Sequence, residues 1–329
     1  MSIFKKFIAG VAVIVWILIC GEVFLRVIST VIPFYSVEML RYAKTLKVEN
    51  ENPEISHAHK VNSSANLMGV EIKLNSLGHR SNELDGLKEK GEKRLFVLGD
   101  SIALGWGVAK GDVFVDSLEE RLNEEKGSKT GFHFVTINSG VGNYNTFYKV
   151  ELFKEQLKNV DPDLVILQYY INDAEKNAKG RGGFILKHSL LIASIHYYIS
   201  IFSQEKKTLA EYYTDIYKDE SEGWKNAKKS LEELKKICKN KQIPLIALLI
   251  PDFHYLSIDN PLIPIYAKIH RTFDQIQIPM LNTFPAIHAE FGDEPKKAWV
   301  ARDDPHPNKK AHQIISDLLY NFIDKQRLY

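Results

Sequence analysis

Ser101 stands in the run Gly99-Asp100-Ser101-Ile102-Ala103-Leu104-Gly105. A hydroxyl becomes a nucleophile only when a base removes its proton, so such a serine needs a partner elsewhere in the chain. Taken alone, the run reads equally well as a tight turn. Asp303-Asp304-Pro305-His306-Pro307-Asn308 offers the partner. Asp303 and His306 are close enough for the carboxylate to accept from one ring nitrogen, which leaves the other free to act as a base. The two prolines stiffen the segment. The competing structural reading is a helix cap at Asn308 with Asp303 and His306 merely exposed. A third group, Asn172 in Tyr169-Tyr170-Ile171-Asn172-Asp173, carries an amide able to donate to a developing oxyanion, although Asn-Asp pairs also make turns and caps. No third ligand of recognisable spacing accompanies these groups, so neither a metal nor a cofactor is expected.

The elements around these residues place all three on loops after strands. Short apolar runs at Arg94 to Leu98, Phe134 to Asn138, Leu164 to Gln168, Leu245 to Ile250 and Pro279 to Leu281 read as strands. They alternate with amphipathic segments near Val113 to Glu125, Thr146 to Asn159, Trp224 to Lys239, Leu262 to Gln275 and Lys309 to Lys325, which read as helices. That rhythm implies parallel crossover units and a sheet covered on both faces. Ligands bind such sheets beyond the carboxyl ends of the strands, where Ser101 and Asn172 lie. Cys238 shares a helical face with Leu231 and Leu234 and reads as core. Residues 174–223 break the rhythm with an apolar, aromatic stretch, Leu190 to Phe202, followed by Tyr212, Tyr213 and Tyr217. This insert leaves from the Asn172 loop, so it is expected to form a lid or specificity element.

The other end of the chain has a different character. Lys5 and Lys6 precede an uncharged apolar run from Phe7 to Gly21, and Glu22 and Arg26, four apart, can pair where it ends. No small-x-small cleavage site follows, which favours an uncleaved anchor over a removed signal peptide or a buried helix docked on the domain. Residues 1–35 are therefore expected to be a membrane anchor that contacts the bilayer through residues 7–34. Residues 36–91 are expected to be a linker and loosely packed arm, with an ordered turn at Asn75 to Arg80. Residues 92–329 are expected to be the main domain. A basic head before the first span favours a cytoplasmic N-terminus and a domain outside the plasma (inner) membrane. The formal net charge is only +2 over 329 residues, with lysines and glutamates interleaved. No basic track for nucleic acid is present. Gly-x-Gly-x-x-Gly and Walker patterns for phosphate are also missing from the first loop.

Taken together, Gly99 to Gly105, Asn172-Asp173 and Asp303 to His306 resemble the blocks of the SGNH or GDSL hydrolases, in order and at strand ends, over about residues 92 to 325. The resemblance implies a three-layer α/β/α flavodoxin-like sandwich. It also implies Ser101 as nucleophile, His306 as base, Asp303 as orienting acid and Asn172 as oxyanion donor. The second block, Asn138-Ser139-Gly140-Val141-Gly142-Asn143-Tyr144-Asn145-Thr146, puts Asn143 where the family has its oxyanion glycine, so the backbone donor is Asn143 or, with a shift of one, Gly142. Tyr170 replaces a glycine of the third block. The activity implied is acyl transfer from an ester through an acyl-enzyme, resolved by water in an esterase or by a sugar hydroxyl in an O-acyltransferase. The expected substrate is an acylated envelope glycan or a lipid ester. A noncatalytic envelope-binding protein on the same fold is the remaining alternative. His188, His196 and His312 are expected to be noncatalytic.

Overall fold

The computed structural model describes residues 3–328 except 30, 85, 178–187, 204–206 and 293. Its centre is a five-stranded sheet of β1 (Glu92–Leu98), β2 (His133–Asn138), β3 (Leu164–Tyr169), β4 (Leu245–Leu249) and β5 (Met280–Asn282). The strands are all parallel, in the order β2-β1-β3-β4-β5. This is the flavodoxin-like order, whose switch point lies between β1 and β3. Every residue of β3 and β4 is buried, as a strand covered on both faces must be.

From the N-terminus the longer helices are α1 (Ile3–Ile28), α2 (Tyr35–Thr45), α3 (Phe114–Leu122), α4 (Thr146–Val160), α5 (Leu190–Ser203), α6 (Glu222–Lys241), α7 (Ile263–Ile276) and α8 (Lys309–Gln326). Alternate residues of β1 feed opposite layers, following the two-residue period of a strand. Leu95 and Val97 pack with Phe114 and Leu118 of α3 and Ile315 and Leu319 of α8. Phe96 and Leu98 pack with Phe153 of α4, Leu231 and Leu234 of α6 and Phe273 of α7. Cys238 is buried in that second layer, as its helical face predicts. The helix expected to reach Glu125 ends at Leu122 and continues as a π-turn to Gly127.

The segment expected to be a loose arm is instead built into the fold. After α2 come a two-stranded pair, Lys47–Val48 with Ala58–His59, and a hairpin, Ser64–Leu67 with Val70–Lys73. Tyr42, Leu46, Leu67, Ile72 and Leu74 are buried together with Leu104 and Trp106 of the main domain. The apolar residues of this arm are scattered singly among polar ones. They have no local period and become a core only against the domain.

The turn at Asn75 to Arg80 is ordered as expected: Asn75 Oδ1 accepts from the N–H groups of Leu77 and His79, and Gly78 takes a left-handed φ of 78°. The insert contributes α5 and a helix Leu209–Ile216, while residues 178–187 and 204–206 of it lie outside the described residues. α1 is the one described helix long and apolar enough to cross a membrane.

Candidate active site

β1 ends at Leu98 and is followed by Gly99, where a side chain would strike Ala103 and the Gln168 amide. The chain then turns at once into a short helix, Ser101–Leu104, whose N-cap is Asp100; its Oδ1 accepts from the Ile102 N–H at 2.8 Å. Gly105 ends the turn at φ 75°, a conformation that glycine adopts without strain. Ser101 is thereby held on the first residue of the helix, where backbone N–H groups have no intrahelical acceptor. Arg80, from the ordered turn, fixes the far end: its buried guanidinium donates to the carbonyls of Leu104, Gly105, Val108 and Glu71 at 2.8 to 2.9 Å. Burial pushes this group down to about 10, so it remains charged at neutral pH.

His306 reaches Ser101 from the other end of the chain. Its Nε2 lies 2.8 Å from Ser101 Oγ, and its Nδ1 lies 2.5 Å from Asp304 Oδ1. With Nδ1–H donating to the carboxylate, Nε2 is the tautomer's acceptor and takes a hydrogen bond from the serine hydroxyl. The carboxylate is therefore Asp304, which corrects the expectation of Asp303. The reason is local. Trp299–Ala301 and Asp304–Pro307 form an antiparallel hairpin, and residues two apart on a strand point to the same face. Asp304 and His306 share that face, whereas Asp303 is an exposed turn residue whose Oδ2 meets the Tyr35 N–H at 3.4 Å. Asp304 also accepts from the His306 N–H at 3.0 Å and, through Oδ2, from the Trp106 indole at 2.7 Å. Burial works to raise this carboxyl. The His306 imidazole and these hydrogen bonds outweigh it and hold the group below the ordinary carboxylate range. Asn308 caps α8 by accepting from the Ala311 N–H, so the cap and the dyad coexist in one segment.

The second block also departs from its expected alternatives. The Gly142 N–H donates to the Tyr42 hydroxyl at 2.8 Å, and a side chain at Gly142 would collide with that ring. It is not free for a ligand. Asn143 follows in the left-handed region at φ 70°, and its N–H has no acceptor among the described residues. Lys47 Nζ donates both to Gly142 O and to Asn143 Oδ1, and His57 Nε2 lies 3.0 Å from Gly142 O. Three residues of the arm thus clamp this loop. Asn172 lies on a 3-10 turn, Ile171–Ala174, directly after β3, and its side-chain oxygen is buried without a partner among the described residues. Tyr170, in the glycine position of that block, donates through its hydroxyl to Asp252 at 2.6 Å and so forms a wall between β3 and β4.

Beneath the loops lies a charge that sequence reasoning missed. Lys149 of α4 is fully buried, with Nζ 2.7 Å from Asp173 Oδ2, 2.9 Å from Gln168 O and 3.3 Å from Asp100 Oδ2. Burial pushes the Asp173 carboxyl up while the Lys149 ammonium draws it back. Of the histidines set aside, His312 is buried in α8 behind Phe114, and His196 is exposed on α5. No group of His, Cys, Asp and Glu among the described residues could hold a metal ion.

A serine, an imidazole and a buried carboxylate in one hydrogen-bonded line, at the switch point of a flavodoxin-like sheet, define an SGNH-type esterase. The chain belongs to the GDSL-like lipase/acylhydrolase family, whose model matches residues 97–314. Among curated proteins none matches it. Solved structures similar to it include a two-domain esterase (CEX) active on acetylated mannans, at 16% identity and TM-score 0.46, over 72% of this chain and 50% of that one. An acetyl xylan esterase, AlAXEase, is similar at 15% identity and TM-score 0.45, covering 70% of this chain and 99% of its own. The esterase EstA from Pseudoalteromonas sp. is similar at 15% identity and TM-score 0.44, covering 72% and 100%.

Proposed function

We propose that this chain is a membrane-tethered serine esterase that removes O-acyl groups, above all acetyl, from a cell-envelope glycan through an acyl-enzyme. The observation that carries the reading is the unbroken line Ser101 Oγ, His306 Nε2, His306 Nδ1, Asp304 Oδ1. Ser101 attacks the ester carbonyl as His306 takes its proton, and Asp304 stabilises the imidazolium that results. The oxyanion is received by the backbone N–H groups of Ser101 and Asn143 and by the Asn172 amide. Each such donor contributes a few kcal/mol in a preorganised site. His306 then protonates the leaving sugar oxygen, and water, deprotonated by the same imidazole, releases the acid and restores Ser101.

The cellular side of the proposal rests on α1. Lys5 and Lys6 precede an uncharged run that is bounded by Glu22, and the side chains of this helix are exposed throughout most of its length. A cytoplasmic N-terminus with the domain outside the plasma membrane suits that charge pattern, and an exported tethered enzyme meets acylated polymers there. A lipid ester is the second substrate class.

The test is covalent labelling. A serine-directed organophosphonate should attach once, at Ser101, and the enzyme should release acid from p-nitrophenyl acetate. Ser101→Ala should lose both signals with an unchanged circular dichroism spectrum. Asn172→Ala should lower kcat by roughly 10²–10³-fold with a smaller change in KM, as expected for loss of an oxyanion donor. Full turnover by folded Ser101→Ala would overturn the mechanism. Supplying acceptor sugars in the same assay separates hydrolysis from acyl transfer by the product formed.

A further inference from the structure

α5 carries no Asp, Glu, Lys or Arg over its 14 residues, yet part of its surface is uncovered. Ile195 and Ile199, four apart and so on one face, are 45% and 58% exposed, while Ala193 and Ser194 are buried on the other side. A helix of this length rises about 21 Å and is too short for a hydrocarbon layer of about 30 Å, which suits an element lying in the interface.

Its position agrees. α5 packs on both α1 and α2. Its N-terminus is fastened to α1 by one carboxylate: Glu22 accepts from the N–H groups of Leu190 and Leu191 and from the Ser189 hydroxyl, at 2.9 to 3.1 Å. Arg26 binds Glu22 and donates to His188 O at 3.0 Å, and Gly21 leaves just enough room for the Leu191 side chain. Glu22 is the first charge after the apolar run of α1, so α5 begins where that helix leaves the hydrocarbon. The cleft beside this junction is lined by Arg26, Arg41 and Lys44, with Glu38 paired to Arg41 among them, a charged rim suited to the headgroup zone of a bilayer.

We infer that α5 is a second membrane-contacting element, its Ile195–Ile199 face seated among the acyl chains of the bilayer that α1 crosses. It is then a shoulder of the anchor rather than a lid. The inference rests on the anchor reading of α1. It also fixes where the site sits. Only the few residues between Ile28 and Tyr35 separate α1 from α2, and the Tyr35 ring lies 6.1 Å from that of His306. With α5 fastened as well, the site is held close above the membrane.

The full chain, in a Cys20→Ala background that leaves only the buried Cys238, is reconstituted into phosphatidylethanolamine/phosphatidylglycerol vesicles. An environment-sensitive fluorophore is attached at Ile195→Cys, Ile199→Cys, Ile14→Cys on α1, or Leu87→Cys on the exposed domain surface. Retained organophosphonate labelling of Ser101 selects folded protein. Quenching of the 195 and 199 probes by lipids spin-labelled high on the acyl chain, within about two-fold of the strongest quenching seen at 14 and far above that at 87, is the expected result. Probes at 195 and 199 that stay unquenched while 14 is quenched overturn the inference, whether their emission reports water or protein packing. An unquenched probe at 14 overturns the anchor itself, and this inference with it.

Discussion

Asp304 Oδ1 and Oδ2 have separate duties, one facing His306 and the other the Trp106 indole, so the carboxylate cannot rotate away from the imidazole. Asp303, one residue away, is exposed and among the described residues meets only the Tyr35 N–H, at 3.4 Å. Replacement should therefore separate the neighbours sharply. Asp304→Asn, which presents the wrong tautomer to Nδ1, should lower kcat by about 10³–10⁴-fold, whereas Asp303→Asn should stay within about three-fold of the parent. Steady-state ester hydrolysis by the two variants decides it, and equal losses would return the role to the turn. Ser101 and His306, which the structure brings into contact, were picked out in the sequence by blocks that resemble those of the family, each beside a strand or helix signal. The acid was not. The hairpin that carries it has a first strand of three residues and a second interrupted by Pro305 and Pro307, and prolines argue against a strand. Without the strand, nothing indicates that the two-residue spacing, not the three-residue one, brings a carboxylate to the ring.

Three loops from three strand ends meet over Lys149. Asp100 belongs to the Ser101 turn, Asp173 to the Asn172 turn, and Thr146, at the start of α4, donates to Asp173 Oδ1 at 2.9 Å. One ammonium therefore sets the spacing of the elements that present the nucleophile and the amide. The alternation of strands and helices was readable because apolar periods of two and 3.6 residues are local properties. Lys149 was not readable: a lysine on an amphipathic helix ordinarily faces water, and its partners come from distant loops. Removing the cation leaves two buried carboxyl groups without it, so Lys149→Met should cost about 3–5 kcal/mol of stability. Combining it with Asp173→Asn should recover part of that loss, because the two changes remove one interaction. Urea unfolding of the three variants measures both effects. A Lys149→Met protein within about 1 kcal/mol of the parent would mean that the cluster does not organise the loops.

Across the whole molecule, three buried imidazoles must stay neutral, one within the arm, one between arm and domain and one within the domain. His59 of the arm lies between the Tyr42 hydroxyl and Gly78 O, and His79 binds the Gln156 side chain of α4. His312 of α8 accepts from the Phe114 N–H at 3.2 Å. Burial lowers all three, to about 3, about 4 and about 3 respectively. His79 Nδ1 has no partner among the described residues, so a second proton there would be buried without an acceptor, and a second proton on His312 would go to Nδ1 and break its bond from the Phe114 N–H. Above about pH 6.5 these groups are neutral in both folded and unfolded chains and add no pH dependence. Below it the unfolded chain binds protons that the folded one refuses, so stability falls with pH until the folded-state values near 4 and 3 are reached. Burial has the opposite effect on Asp116, raised to about 6, which takes up its proton in the folded state first and gains stability over part of the same range. The net slope mixes these groups, but the contribution of a single histidine can be isolated by difference. The parent should lose more stability from pH 6 to pH 5 than His312→Gln does, by ~1.2 kcal/mol, a little under the value of one full proton over one pH unit because the unfolded imidazole is already largely protonated at pH 6. The same difference is expected for His79→Gln. Urea unfolding at the two pH values gives the comparison directly, and parallel losses in parent and variants would mean that these imidazoles already carry a proton in the folded protein.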